Sequence, residues 1–180
     1  ESAVAPADDP GGVKKHITAV TDAGGRSYAI TYWTKADAKK PQVRGKIKRI
    51  SDHSGHALDF EYYEDGNLLR IIERGGTKAD GSFLADRSFV FTYTTSDGSG
   101  PAIPLAADRV NPDPKTPNES TRIYSVRDPR GNETTFAYLG PGFGTDRWKL
   151  ASRTDRSGAT TTYAYDTTNR VTTVTDPLGL

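Results

Sequence analysis

Three stretches hold residue types from which chemistry is commonly built. Asp52, His53 and His56 in DHSGH (52–56) offer a carboxylate and two imidazoles. The spacing of the histidines suits a zinc pair, yet a third dependable ligand is not evident. Asp108, Asn111 and Asp113 offer oxygens at a loose calcium-like spacing that does not follow the EF-hand pattern. Five prolines between Pro101 and Pro117 explain that segment as a stiff excursion. Trp33 and Trp148 are candidate sugar platforms, or else covers for a hydrophobic sheet edge. No Gly-x-Ser-x-Gly elbow or phosphate-binding loop occurs. Carboxylates are plentiful, but nothing selects a pair for glycoside hydrolysis. The reading is a non-catalytic chain with no metal and no cofactor.

What organises the acids is their spacing. The segments ITAVTDAGG, IKRISDHSG, LRIIERGG, IYSVRDPRG, LASRTDRSG and VTTVTDPLG align on an acid with a glycine three residues later. The pairs are Asp22 and Gly25, Asp52 and Gly55, Glu73 and Gly76, Asp128 and Gly131, Asp155 and Gly158, and Asp176 and Gly179. An apolar residue stands five before each acid: Ile17, Ile47, Leu68, Ile123, Leu150 and Val171. Tyr32, Tyr62, Tyr138 and Tyr165 stand ten after, and Ile30, Phe60, Phe136 and Tyr163 come two before those. The third copy is stretched, with Phe89, Phe91 and Tyr93 supplying its ending. Acid-to-acid intervals of 30, 21, 55, 27 and 21 residues define a bare unit of 21 with insertions.

A unit of that length is too short for a βαβ crossover and suits two strands and two turns. Asp-x-x-Gly is the tight turn. The carboxylate accepts backbone N–H groups about two residues on, and glycine tolerates positive φ. Pro129 and Pro177 pre-set φ for a type I or II turn. In TTTYAYD, alternation puts Thr161, Tyr163 and Tyr165 on one face. The second turn, EDGN (64–67) or DTTN (166–169), ends in residues that tolerate the left-handed conformation.

The expected fold is all-β: consecutive antiparallel hairpins, about eleven or twelve strands, in a curved, open spiral sheet. Residues 1–12 read as a flexible linker and 13–180 as the repeat segment. Insertions fall at about 33–45, 76–87, 94–120 and 139–149. Tyr32, Phe60, Tyr62, Phe91, Tyr93, Phe136, Tyr138, Tyr163 and Tyr165 are expected to be aromatic rungs rather than a ligand platform.

Composition agrees with this plan. The 24 basic and 23 acidic residues leave a net charge of +1, which lacks the concentrated positive face of a nucleic-acid binder. The basic run KKPQVRGKIKR (39–49) reads as a solvated loop or edge, where lysines discourage aggregation. Only 34% of residues are hydrophobic, so one sheet face should be wet. Nine tyrosines and six phenylalanines argue against disorder. Without cysteine there are no disulfides. No apolar run approaches the roughly 18 residues that span a bilayer. The absence of methionine, even at position 1, reads as a segment or a processed product. NES (118–120) fits a glycosylation sequon.

YDTTNRVTTVTDPLG (165–179) resembles a unit of the RHS/YD-repeat family, named in part for the Tyr-Asp pair seen here as Tyr165-Asp166. GNETTFAYLG (131–140) and GATTTYAYD (158–166) match the family's glycine-to-tyrosine half. The resemblance covers about residues 13–180. Only the fifth copy has a literal Tyr-Asp. It implies a sheet spiralling into a hollow shell, in large secreted or cell-surface bacterial proteins that enclose a C-terminal toxin domain. Teneurins use similar shells in adhesion, so an adhesion or carbohydrate-binding module is the alternative. The expected partners are further repeats or neighbouring copies through open sheet edges, an enclosed toxin domain, or a glycan. Toxin-releasing relatives are cut after the leucine of Asp-Pro-x-Gly-Leu by an internal aspartate protease. DPLGL (176–180) matches that motif, whereas the upstream copy is DRSGA (155–159). Asp176 is in register with five turn acids, and we read DPLGL as an ordinary turn.

Overall fold

The structure is a computed structural model that describes residues 2–3, 15–36, 41–63, 66–94, 122–140, 149–166 and 168–179. It is all-β, with a single 3-10 turn at Pro41–Val43 and no α-helix among the described residues. Among the described residues, thirteen strands follow in chain order: β1 (Ser2–Ala3), β2 (Lys15–His16), β3 (Ala19–Thr21), β4 (Ser27–Tyr32), β5 (Ile47–Ser51), β6 (Ala57–Tyr62), β7 (Leu68–Glu73), β8 (Arg87–Tyr93), β9 (Ile123–Arg127), β10 (Glu133–Tyr138), β11 (Leu150–Thr154), β12 (Thr160–Asp166) and β13 (Val171–Thr175). β1 pairs with β2. The other eleven form one antiparallel sheet in which every strand neighbours its sequence neighbour, from β3 to β13.

Contacts divide the chain into two compact units, with the boundary between Phe89 and Val90 inside β8. In the first unit, register alternates the two faces. Ile30 lies opposite Ile50, and Ile50 opposite Leu58, while Phe60 faces Ile71. The reverse face carries Thr31, Arg49, Asp59 and Ile72 in cross-strand line. In the second unit, Phe91, Val126 and Thr134 share one face, as do Phe136, Arg153 and Thr161. The reverse face is hydroxylated, with Thr92, Ser125, Thr135, Thr154 and Thr160 in line. This period-two segregation is what β alternation requires.

Few side chains are buried. Among the described residues these are Val43, Ala57, Tyr63, Ile72 and Tyr93, with Thr94 and Ser125. The lean composition is thus matched by half-buried aromatic faces rather than a thick core. The hairpins also share an irregularity. Register shifts at Thr31/Tyr32, Glu61/Tyr62, Thr92/Tyr93 and Ala137/Tyr138 place a bulge beside the repeat tyrosine. Pairing of β12 with β13 runs unbroken to Asp166 and Val171.

Residues 4–14, 37–40, 64–65, 95–121 and 141–148 lie outside the described residues. Most of the linker expected from the sequence falls there, as do parts of the expected insertions.

Candidate functional site

The Asp-x-x-Gly turns are built alike. Gly25, Gly55, Gly131, Gly158 and Gly179 have φ between 80° and 89°. Each donates its N–H to the carbonyl of the acid three residues earlier. The aspartate then caps its own loop. Asp22 Oδ1 accepts from Gly24 N at 2.8 Å and Arg26 N at 3.0 Å. Asp52, Asp128 and Asp155 do the same toward residues two and four further on. Asp176 accepts from Leu178 N at 2.9 Å. Hydrogen bonding to the ionised form lowers a carboxyl pKa. The Ser54 hydroxyl, assisted by backbone N–H groups and His56, holds Asp52 down to about 2. Asp128 is lowered by the Asn132 amide, Asp155 by the Ser157 hydroxyl, and Asp22 by the Arg26 N–H.

The third copy departs from its expected turn. Glu73 ends β7, lies opposite Leu58, and takes both its bonds from Arg87 Nη2 at 2.7 Å. Gly76 does not adopt positive φ. The turn sits five residues later. Gly81, with φ of 81°, donates to Lys78 O, and Asp80 Oδ1 accepts from Ser82 N and Oγ. Gly75 explains the displacement: a Cβ there would lie 1.8 Å from the Leu84 carbonyl oxygen. Two backbone segments meet at that glycine, and the chain continues into a small hairpin bridged at Thr77 and Phe83.

Each ordinary copy holds its tyrosine by the same hydroxyl contact, and a basic or imidazole residue stands beside it. The hydroxyl donates to the carbonyl fifteen residues earlier, on the apolar residue at the start of the hairpin. The pairs are Tyr32 to Ile17 at 2.7 Å, Tyr62 to Ile47 at 2.9 Å, and Tyr138 to Ile123 and Tyr165 to Leu150 at 2.8 Å. The residue just before that carbonyl lies by the ring. Lys46 Nζ is 5.6 Å from the Tyr62 centroid, Lys149 Nζ is 4.8 Å from that of Tyr165, and His16 and Tyr32 rings are 4.5 Å apart. Arg122 acts electrostatically on Tyr138. Sequence reasoning missed the Lys46 and Lys149 contacts with the tyrosine rings, although a signal was there: His16, Lys46, Arg122, Lys149 and Arg170 all directly precede the apolar residue. Burial pushes the Tyr62 hydroxyl up to about 12. Among the other rungs, Phe60, Phe91, Phe136 and Tyr163 are half-buried, and Tyr93 is buried.

The Tyr-Asp pair has a second half. Asp166 Oδ1 accepts from Thr168 N and Asn169 N at 3.0 Å, and Asn169 Nδ2 donates to Oδ2 at 2.6 Å. The residue at positive φ is Arg170, at 56°, one beyond Asn169. In the earlier turn Gly66 plays that part at 84° rather than Asn67. A Cβ on Gly66 would sit 2.9 Å from Gln42 O, because the Pro41–Val43 loop is seated on this turn.

The first unit also carries a charged cluster beside a groove. Asp59, its side chain 13% exposed, is gripped by Arg49 through Nε and Nη2 and by Arg74 through Nε. Arg74 also bonds Asp86, which accepts from Gly75 N. Arg49 foremost, then Arg74, hold Asp59 down to about 2. A groove of about 650 Å³ opens here, lined by Thr31, Trp33, Lys48, Asp59, Glu61 and Arg74 among others. Trp33 donates Nε1–H to Phe60 O at 3.2 Å, and Lys48 Nζ lies 4.9 Å from its ring. Trp148, the Asp108–Asn111–Asp113 trio and the sequon lie outside the described residues.

Asp52, Ser54 and His56 are the three residue types of a hydrolase triad, but their geometry is that of a turn. His56 Nδ1 meets both Asp52 Oδ2 and Ser54 Oγ at 3.2 Å, and Ser54 Oγ donates directly to Asp52 at 2.8 Å. The second ring nitrogen is not directed at the serine, so the proton relay of a nucleophile–base–acid chain is not assembled. Among the described residues no three His, Asp or Glu side chains group as metal ligands. No helix there is long and apolar enough to cross a membrane.

Residues 149–180, which contain β11, β12 and β13, match the family model of the RHS repeat. A search of curated proteins found no match to the chain.

Proposed function

We propose that this chain, an RHS-repeat protein by its residues 149–180, is a non-catalytic wall segment of a large secreted or surface bacterial protein. That wall encloses a C-terminal toxin or effector. The observation that supports this most is the recurrent tyrosine clasp. The tyrosine hydroxyl is spent on holding one hairpin, and the next hairpin pairs alongside. Such a unit extends by addition, as repeat architectures do. The test uses the full-length parent protein with its downstream segment. Limited proteolysis should leave that segment intact while the same segment expressed alone is digested. Equal digestion rates would sink the reading.

The groove at Trp33 favours a second reading, an extracellular adhesion or carbohydrate-binding module. Its indole, paired carboxylates and guanidinium groups are the side-chain types that hold sugar rings and hydroxyls. Binding on a glycan array that disappears in Trp33→Ala or Trp148→Ala would select it over the wall.

A further inference from the structure

We infer that the groove beside Trp33 selects an acidic saccharide, whose carboxylate is held by Lys48, Arg49 and Arg74. This deepens the carbohydrate-binding reading above and rests on it. The groove belongs to the first unit and lies over β4, β5 and β6, each of which has a strand on both sides. The indole alone does not explain it. A neutral sugar is held by laying its apolar C–H face on an open aromatic ring. Trp33 is instead half-buried, donates Nε1–H to the Phe60 carbonyl at 3.2 Å, and carries Lys48 Nζ at 4.9 Å over its ring. What the ring fixes is a cation.

Register delivers that cation. Thr31 faces Arg49 and Tyr32 faces Ile47, so the pairing steps over Lys48. In the other bulged hairpins the same step falls on Leu69, Tyr124 and Ala151. Among these four bulges, a cation stands at the step in this copy alone. A bulge bends its strand and re-aims the side chain it carries.

The carboxylates of the groove are spent on arginines, while the arginines keep donors. Asp59 accepts from Arg49 at both oxygens and from Arg74 at Oδ2, and Glu61 Oε2 accepts from Arg70 Nε at 2.6 Å. Arg49 commits two nitrogens to Asp59, and Arg74 commits one there and one to Asp86. A guanidinium carries five N–H donors, so these bonds exhaust neither group. Their side chains are 48% and 44% exposed. Lys48, Arg49 and Arg74 against Asp59 and Glu61 leave the lining one positive charge in surplus. Guanidinium forks anchored in this way hold a carboxylate through paired hydrogen bonds at little ordering cost. Thr31, also in the lining, supplies a hydroxyl for the sugar itself.

The probe is trigalacturonate, added to the full 180-residue chain carrying ¹⁵N. Its methyl ester is the same sugar without the charge, and inorganic sulfate is the charge without the sugar. Saturable binding of trigalacturonate is expected, with shifts at the Trp33 indole N–H, Lys48 and Arg49. The ester should bind about tenfold more weakly, having lost the charge-assisted bonds. Lys48→Gln should weaken trigalacturonate about threefold and leave the ester unaffected, and Lys48→Arg should restore it. Equal affinity for acid and ester at the Trp33 indole would overturn the inference and leave the carbohydrate-binding reading standing. Absence of saturable trigalacturonate binding at millimolar concentration would overturn the inference, and with a silent glycan array the reading beneath it falls too. Sulfate giving the same shifts at the same concentration would assign the groove to simple anions and overturn it. Affinity indifferent to Lys48→Gln would also overturn it.

Discussion

The hydroxyl of Tyr165 donates to the carbonyl oxygen of Leu150 at 2.8 Å, a bond that closes within a single hairpin, fifteen residues along the chain. Tyr165→Phe keeps the ring and the Lys149 contact but leaves that carbonyl without this donor. The expected cost is about 1 kcal/mol. Hydrogen exchange should register it as faster exchange within β11 and β12, with β4 and β5 unchanged. Tyr165→Ala, which also removes the ring, should cost about 3 kcal/mol.

Acid should find the carboxylates first. Asp59 and Asp52 are each held down to about 2 in the folded chain, against roughly 3.9 for a free aspartate. A depressed folded pKa contributes stability that is present above about pH 4 and is lost as pH falls toward 2. Denaturant midpoints should be flat from pH 7 to about 4 and then decline. Asp59→Asn should flatten the decline and lower the neutral plateau by about 1 kcal/mol, a figure discounted for solvent screening. An unchanged acid limb in this variant would show that the cluster does not couple to folding.

At the alkaline end the sign reverses. Tyr62 ionises in the folded chain at about 12, above its ordinary 10.0. Its contribution is present below pH 10 and lost as pH rises toward 12. In an absorbance titration, Tyr62→Phe should lose amplitude near pH 12 and keep the amplitude near pH 10. Loss near pH 10 instead would show that this hydroxyl titrates like an exposed one.

Glycine substitutions separate the true turns from the apparent one. Gly158→Ala and Gly81→Ala force a side chain into positive φ and should each cost about 1 kcal/mol. Gly76→Ala meets nothing within 4 Å and has no positive φ, so thermal denaturation should barely change. Gly75→Ala should be the most damaging of the four, because its Cβ would meet the Leu84 carbonyl.

That contrast shows what the sequence could and could not convey. Strand order and five of the six tight turns were legible, because an aspartate that caps its own loop and a glycine at positive φ are local requirements with a fixed spacing. Glu73 and Gly76 satisfy the same spacing, yet Arg87 and Leu58 draw Glu73 into β7. That competition is settled between strands and leaves no local mark. The Arg49–Asp59–Arg74 cluster was equally hidden, since its members are 10 and 15 residues apart and do not recur in other copies. The cations beside the tyrosines did recur, but lysine and arginine on a strand surface read as solvation until the ring above them is placed. Candidate Trp33 was visible by type alone, and its bond to the Phe60 carbonyl shows a structural duty that type cannot reveal.

The fifteen-residue span of the tyrosine bond bears on how fast such a chain can fold. Contacts between distant parts of a chain slow folding, since loop closure must come before any reward. Here each of the four tyrosine locks closes inside its own hairpin, an event of about 1–10 μs. Long segments between units lie outside these four locks. A chain emerging from one end can therefore set its hairpins one after another, each stable register serving as the template for the strand that arrives next.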